Sequence, residues 1–63
     1  MLTISIINRA VDFLSKKHGC EKGFLDYVGV WELPAREKKL VLFNVEDPKS
    51  PFFRSTVAYE FTA

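Results

Sequence analysis

The stretch LVLFNVEDPKSPFFRSTVAYEF, residues 40–61, decides the fold of this chain. It holds two runs of β-branched and aromatic side chains, 40–46 and 52–61, on either side of a turn cluster at 47–51. Asp suits the first turn position, Pro48 presets φ for the second, and Pro51 stands where a missing N–H costs little. The stretch therefore predicts a β-hairpin.

A third strand is predicted upstream, at residues 24–33, where Tyr27, Val28 and Trp31 favour extended backbone. Pro34 ends it before a short polar loop. Because short connections make sequential strands neighbours, we expect an antiparallel meander. Residues 40–46 are apolar on both faces and are expected to form its central strand.

The first third of the chain has the period of an amphipathic helix. Ser5 is the predicted N-cap, and Gly19 is the predicted left-handed residue that ends the helix. Basic side chains in the last turn complement the carbonyl end of the helix dipole. The apolar stripe consists of Ile7, Ala10, Val11 and Leu14, widened by Ile6 and Phe13. Residues 1–63 thus predict a single α+β domain, one N-terminal helix packed on a three-stranded antiparallel meander (αβββ).

The two connections suggest a register for the sheet. A loop at 34–38 would place Trp31 opposite Val41, and a turn at 47–51 would place Val57 on the other side of Val41. Every second residue along each strand, counted from Trp31, Val41 and Val57, lies on the same face of the sheet. This face is aromatic, and we expect it to pack on the helix. Its members are Tyr27, Trp31, Leu33, Val41, Phe43, Val45, Phe53, Val57, Tyr59 and Phe61, with the small residues Gly29 and Ser55 beside Phe43.

The opposite face has an apolar centre that one helix cannot also cover. It is expected to carry Val28, Val30, Leu40, Leu42, Thr56 and Ala58 inside a polar rim. We therefore predict a protein interface there, with a protein partner of unknown identity or, more specifically, a homodimer. The residues assigned to this interface are Val28, Val30, Leu42, Phe52 and Arg54. In a second arrangement the faces are reversed, and the helix covers Val30 and Leu42.

Composition favours assembly over binding of a polyanion. The chain is 48% hydrophobic at only 63 residues, and such short chains bury too little surface for a stable core without help. The formal net charge is +1, which provides no broad field for nucleic acid. The alternative function is a nucleic-acid-binding regulator, in which a dimer joins two copies of a basic end surface formed by Lys16, Lys17, Lys22 and Lys49.

No pattern typical of catalysis, a cofactor or a metal occurs in the sequence. A single cysteine and a single histidine allow neither an internal disulfide nor an ordinary structural zinc site. Cys20 follows a helix C-terminus, which disfavours the thiolate. Glu46 with Asp47, or Asp26 with Glu46, could form an acid/base pair, but neighbouring acids are more typical of a solvated rim. We expect a protein that is not an enzyme and needs no cofactor.

The N-terminal sequence MLTISII lacks the basic residues and the length of a signal peptide or a membrane span. Together with the lone cysteine, this predicts a cytoplasmic protein without membrane contact. The leading hypothesis is a small interaction module that acts as a regulator, inhibitor or adaptor.

Overall fold

The computed structural model describes residues 3–34 and 38–62. Helix α1 (Ile4–His18) is followed by a short 3-10 helix (Lys22–Phe24) and by strands β1 (Leu25–Leu33), β2 (Lys38–Val45) and β3 (Thr56–Thr62). The three strands form one antiparallel sheet in the order β1-β2-β3. The predicted αβββ arrangement with a central β2 is confirmed. Residues 35–37 of the predicted first loop lie outside the described residues.

The N-cap of helix α1 lies two residues before the predicted one. Thr3, in extended conformation, accepts the Ile6 N–H through Oγ1 at 3.3 Å, so the N-cap is Thr3 and Ser5 lies inside the first turn. At the other end, Gly19 has φ 62° and its N–H bonds to the Ser15 carbonyl. The predicted glycine stop is confirmed, since only glycine adopts this left-handed conformation without strain.

A β-bulge in β1 changes the predicted register of the first hairpin. Tyr27 pairs with Phe43, but the next pair joins Gly29 to Leu42, which leaves Val28 as the extra residue. Beyond the bulge every side chain of β1 changes face. Val30, rather than the predicted Trp31, therefore lies opposite Val41.

The second hairpin is longer than the DPKSP turn predicted. Strand β3 begins at Thr56, and the connection is closed by hydrogen bonds from Arg54 N–H to Val45 C=O and from Val45 N–H to Ser55 C=O, both 2.9 Å. Val41 pairs with Tyr59 instead of Val57, a shift of two positions. Because the shift is even, the face of each β3 residue stays as predicted. Phe53 is the exception, since it lies in the connection and is exposed.

Two buried polar side chains explain the length of this connection. Asp47 accepts the N–H groups of Lys49 at 2.9 Å and Glu21 at 3.2 Å. Ser50 Oγ donates to the His18 carbonyl at 2.6 Å and accepts the Phe52 N–H at 3.1 Å. These bonds attach the chain to the end of α1, so it cannot turn directly into β3.

The core lies between α1 and the face of the sheet that carries Val41 and Phe43. Its buried apolar residues are Ala10, Leu14, Cys20, Val41, Phe43, Val45 and Val57. Ile7 and Val11 pack against this cluster, as the apolar stripe predicted. The arrangement with reversed faces is wrong, although Val30 does move to the helix-bearing side.

Four further predicted positions are corrected by the bulge and the long connection. Trp31 and Leu33 leave the core face, because β1 reverses its alternation after Val28. Gly29 lies opposite Leu42 and not beside Phe43. Ser55 precedes β3 and is exposed, so it does not flank Phe43 either.

Candidate interaction surface

The face of the sheet turned away from α1 has an apolar centre built from all three strands. The register aligns Val28 and Gly29 with Leu42 and Ala58, and aligns Trp31 with Leu40. We call this surface the open sheet face; its apolar members are Val28, Trp31, Leu33, Leu40, Leu42 and Ala58. Trp31 is 63% exposed and Val28 is 51% exposed. Large apolar side chains therefore lie where an antiparallel sheet usually presents polar groups to water.

Polar groups border the open sheet face at both ends. At one end Lys38 Nζ lies 3.4 Å from Glu60 Oε1. At the other end Thr56 Oγ1 donates to Asn44 Oδ1 at 2.8 Å, and Asp26 lies opposite Asn44. An apolar centre inside a polar rim of mixed charge is the common anatomy of a protein interface.

The structure divides the five residues assigned to the interface into separate groups. Val28 and Leu42 share the open sheet face. Val30 lies on the helix-bearing face, opposite Val41, so its predicted placement is corrected. Phe52 and Arg54 lie in the connection between β2 and β3, where the Phe52 ring meets the His18 imidazole edge-on at 4.6 Å between centroids.

Arg54 has a local structural role. It is the one described residue other than glycine with a positive φ, 72°, and its guanidinium lies 5.3 Å from the centre of the Phe53 ring. Asn or Gly would adopt this conformation with less strain. The position therefore shapes the end of the connection, away from the centre of the open sheet face.

Trp31 is the main residue of this surface that sequence reasoning placed elsewhere. Strict alternation assigned it to the core, and one extra residue in β1 moved it out. The available signal was Gly29, because a glycine inside a strand pattern often marks a bulge.

The predicted basic residues gather around the C-terminal half of α1. Lys22 Nζ lies 3.0 Å and Lys16 Nζ lies 3.4 Å from the carboxylate of Asp12. These two ammonium groups hold the pKa of Asp12 below its ordinary value. Lys17 Nζ lies 5.6 Å from the centre of the Phe13 ring, whereas Lys49 is in the connection that docks on the helix end.

The chemistry of Cys20 follows from its burial. The thiol is free and buried, and both its burial and the nearby Asp47 carboxylate raise its pKa. A raised pKa leaves little thiolate at neutral pH, so this thiol is a poor nucleophile. The sequence predicted that the helix dipole disfavours the Cys20 thiolate. The structure adds the Asp47 carboxylate as a further cause.

The predicted carboxylate pairs are arranged differently from the expectation. Asp26 lies opposite Asn44 and not Glu46, because the observed register before the bulge is two positions away from the predicted one. Asp47 uses both carboxylate oxygens as acceptors for backbone N–H groups. Among the described residues no group of three or more His, Cys, Asp or Glu side chains could hold a metal ion.

Within residues 3–34 and 38–62, no helix has the length and apolar character needed to cross a membrane. Comparison of the chain with protein families, characterised proteins and solved structures gives no match.

Proposed function

We propose that this protein is an interaction module whose open sheet face binds a second copy of the same chain. The observation that carries the proposal is the position of Trp31, 63% exposed next to Leu40 on a sheet face that α1 leaves uncovered. Tryptophan is enriched among the residues that contribute most to binding energy. Exposing it at the edge of an apolar patch, in a row with Leu40 and Glu60, is costly for a protein that stays alone.

The mixed charge of the rim favours a second copy of the chain over a strongly charged partner. The open sheet face carries both signs of charge, from Lys38 at one end and from Asp26 and Glu60 around it. A surface with one dominant sign would instead favour a partner of the opposite sign. In a two-fold dimer the same patch faces itself, so an apolar centre with a mixed rim is suited to it.

The open sheet face is small compared with a standard protein interface. Three strands spaced about 4.8 Å apart and roughly eight residues long cover about 14 by 26 Å, or about 370 Å². A standard interface buries about 800 Å² on each partner. We therefore expect a dissociation constant in the micromolar range.

We also expect the protein to act in a reducing compartment such as the cytosol, where Cys20 remains a free thiol.

Light scattering after size exclusion, at tens of micromolar protein, tests the proposal. We expect a mass of twice the 7.3 kDa chain for the unmodified protein. Trp31→Glu should give the monomer mass, because it places a charge in the apolar patch. Ile4→Glu is the matched control, since Ile4 is 76% exposed and lies on α1; this variant should remain dimeric.

Circular dichroism of both variants shows whether the fold is kept. A monomeric unmodified protein at this concentration would overturn the proposal. A dimer that survives Trp31→Glu would place the interface on another surface.

A further inference from the structure

A groove between α1 and β3 combines aromatic rings with cations, on the side of the molecule opposite the open sheet face. Its volume is about 530 Å³, within the usual range for small-ligand sites. The residues that line it are Arg9, Asp12, Phe13, Lys16, Lys17 and Tyr59. The Phe13 and Tyr59 rings lie 5.5 Å apart between centroids with a tilt of 58°.

Three of the lining residues follow one another at four-residue intervals along α1. Arg9, Phe13 and Lys17 therefore lie on one side of the helix, with about 6 Å of axial rise from each to the next. Phe13 is 48% exposed, with Lys17 Nζ 5.6 Å from the centre of its ring. This spacing is suited to a planar ring on Phe13 with a negative group at either end.

The charge of the groove is also suited to an anion. Its lining holds three cations and one carboxylate, a formal charge of +2. The one carboxylate, Asp12, is already bound to Lys16 and Lys22. Within the described part of the chain, Arg9 and Lys17 form no ion pair, and the Lys17 ammonium lies against the Phe13 ring.

We propose that this groove binds a nucleotide, with the base stacked on Phe13 and Tyr59 and phosphate groups held by Arg9 and Lys17. Aromatic side chains bind bases of any sequence by stacking, and flanking cations bind the backbone. The backbone positions of Arg9 and Lys17 are about 12 Å apart along the helix axis, with Phe13 between them. The nucleotide is a unit of a single strand, with phosphates on both sides, or a free mononucleotide whose phosphate is held by these cations.

This site is separate from the open sheet face, and it shares Lys16 and Lys17 with the basic end surface that the sequence suggested. It needs Arg9 and two aromatic rings, and it does not need Lys49. A second copy bound to the open sheet face leaves the groove uncovered, because α1 packs on the other side of the sheet.

Fluorescence anisotropy with a labelled short oligothymidylate at low salt tests the proposal, and unlabelled thymidine monophosphate and inorganic phosphate serve as competitors. We expect saturable binding that weakens as salt increases. Arg9→Gln, Lys17→Gln and Phe13→Leu should each weaken it at least about fivefold. Lys49→Gln removes one positive charge outside the groove and should change it less than about twofold.

The competitors distinguish the two sources of the ligand. Displacement by the monophosphate supports a free nucleotide, and displacement by unlabelled oligothymidylate alone supports a strand. Equal displacement by inorganic phosphate would overturn the proposal, because it would show that the base is not recognised. The proposal would also be overturned if no probe binds, or if Lys49→Gln weakens binding as much as Lys17→Gln does.

Two further measurements separate this proposal from the dimer and from loss of fold. Circular dichroism identifies any groove variant that does not fold. For such a position the test is made on the unmodified protein, by measuring whether oligothymidylate perturbs the amide NMR signals of Arg9 and Phe13. Absence of those perturbations overturns the proposal. Trp31→Glu should bind the probe as the unmodified protein does, whether or not it dimerises.

Discussion

At the level of single residues, the connection between β2 and β3 depends on polar side chains that the fold buries. Asp47 and Ser50 are each 5% exposed, and both side chains form hydrogen bonds with backbone groups that would otherwise lack partners. Sequence reasoning recognised Asp47 as a turn residue. It could not show that Ser50 reaches the His18 carbonyl, 32 positions earlier in the chain.

Asp47→Ala should destabilise the protein by roughly 1–3 kcal/mol. The substitution leaves the N–H groups of Glu21 and Lys49 without their acceptors. Urea denaturation followed by circular dichroism measures the change. Asp47→Asn is the matched control and should lose less, because one side-chain oxygen remains; a loss equal to that of Asp47→Ala would show that the remaining oxygen contributes nothing.

His18 makes stability depend on pH. Burial, and secondly the charge of Lys17, hold the His18 pKa below its ordinary value of 6.5, and Nδ1 is buried without a hydrogen-bond partner among the described residues. Because the unfolded chain binds a proton more readily than the folded one, stability contributed by neutral His18 is present above pH 6.5 and is lost as pH falls toward the folded pKa.

We therefore expect the melting temperature to fall as pH is lowered from neutral through 6.5. His18→Gln cannot titrate and should flatten this dependence. An equally steep dependence in His18→Gln would assign the effect to other groups.

At the level of the elements, α1 and β2 were the most predictable parts. The helix is determined by local signals, namely its apolar period and Gly19, and β2 by a continuous apolar run. Strand β1 was less predictable, because a bulge depends on cross-strand packing that alternation along one strand does not contain. The register of β3 was off by two because Asp47 and Ser50 hold the connection on the helix end.

Substitutions at two adjacent positions of β2 test which face of the sheet α1 covers. Phe43 is buried under α1, and Leu42 is half-buried on the open sheet face. Phe43→Asp should unfold the chain, since an unpaired buried charge added to a cavity costs more than about 4 kcal/mol. Leu42→Asp should keep the circular dichroism spectrum while weakening the dimer. Unfolding by Leu42→Asp in a protein that is monomeric throughout would contradict the assignment of that face.

At the level of the whole molecule, one helix covers one face of a three-stranded sheet. Among the described residues the core holds seven buried apolar side chains, and the other sheet face retains an apolar patch that includes Trp31. The proposed dimer covers that patch, and the proposed nucleotide groove lies on the opposite side. The two surfaces can be occupied together.

Dimerisation predicts a melting temperature that rises with protein concentration. Because only folded chains pair, each tenfold increase above the dissociation constant should raise it by a few degrees, as mass action requires. Differential scanning calorimetry over such a range measures the shift. Trp31→Glu should melt at one temperature throughout, and a constant melting temperature in the unmodified protein would contradict the dimer.

Local sequence patterns were sufficient to predict the element order, the helix stop at Gly19, the central place of β2 and the faces of β2 and β3. These features follow from local periodicity and from an even register shift, which preserves side-chain direction. The sequence patterns did not predict that Trp31 lies on the open sheet face or that Phe13 borders a cationic groove. Both depend on packing between distant segments: the bulge of β1 against β2, and the approach of α1 to Tyr59.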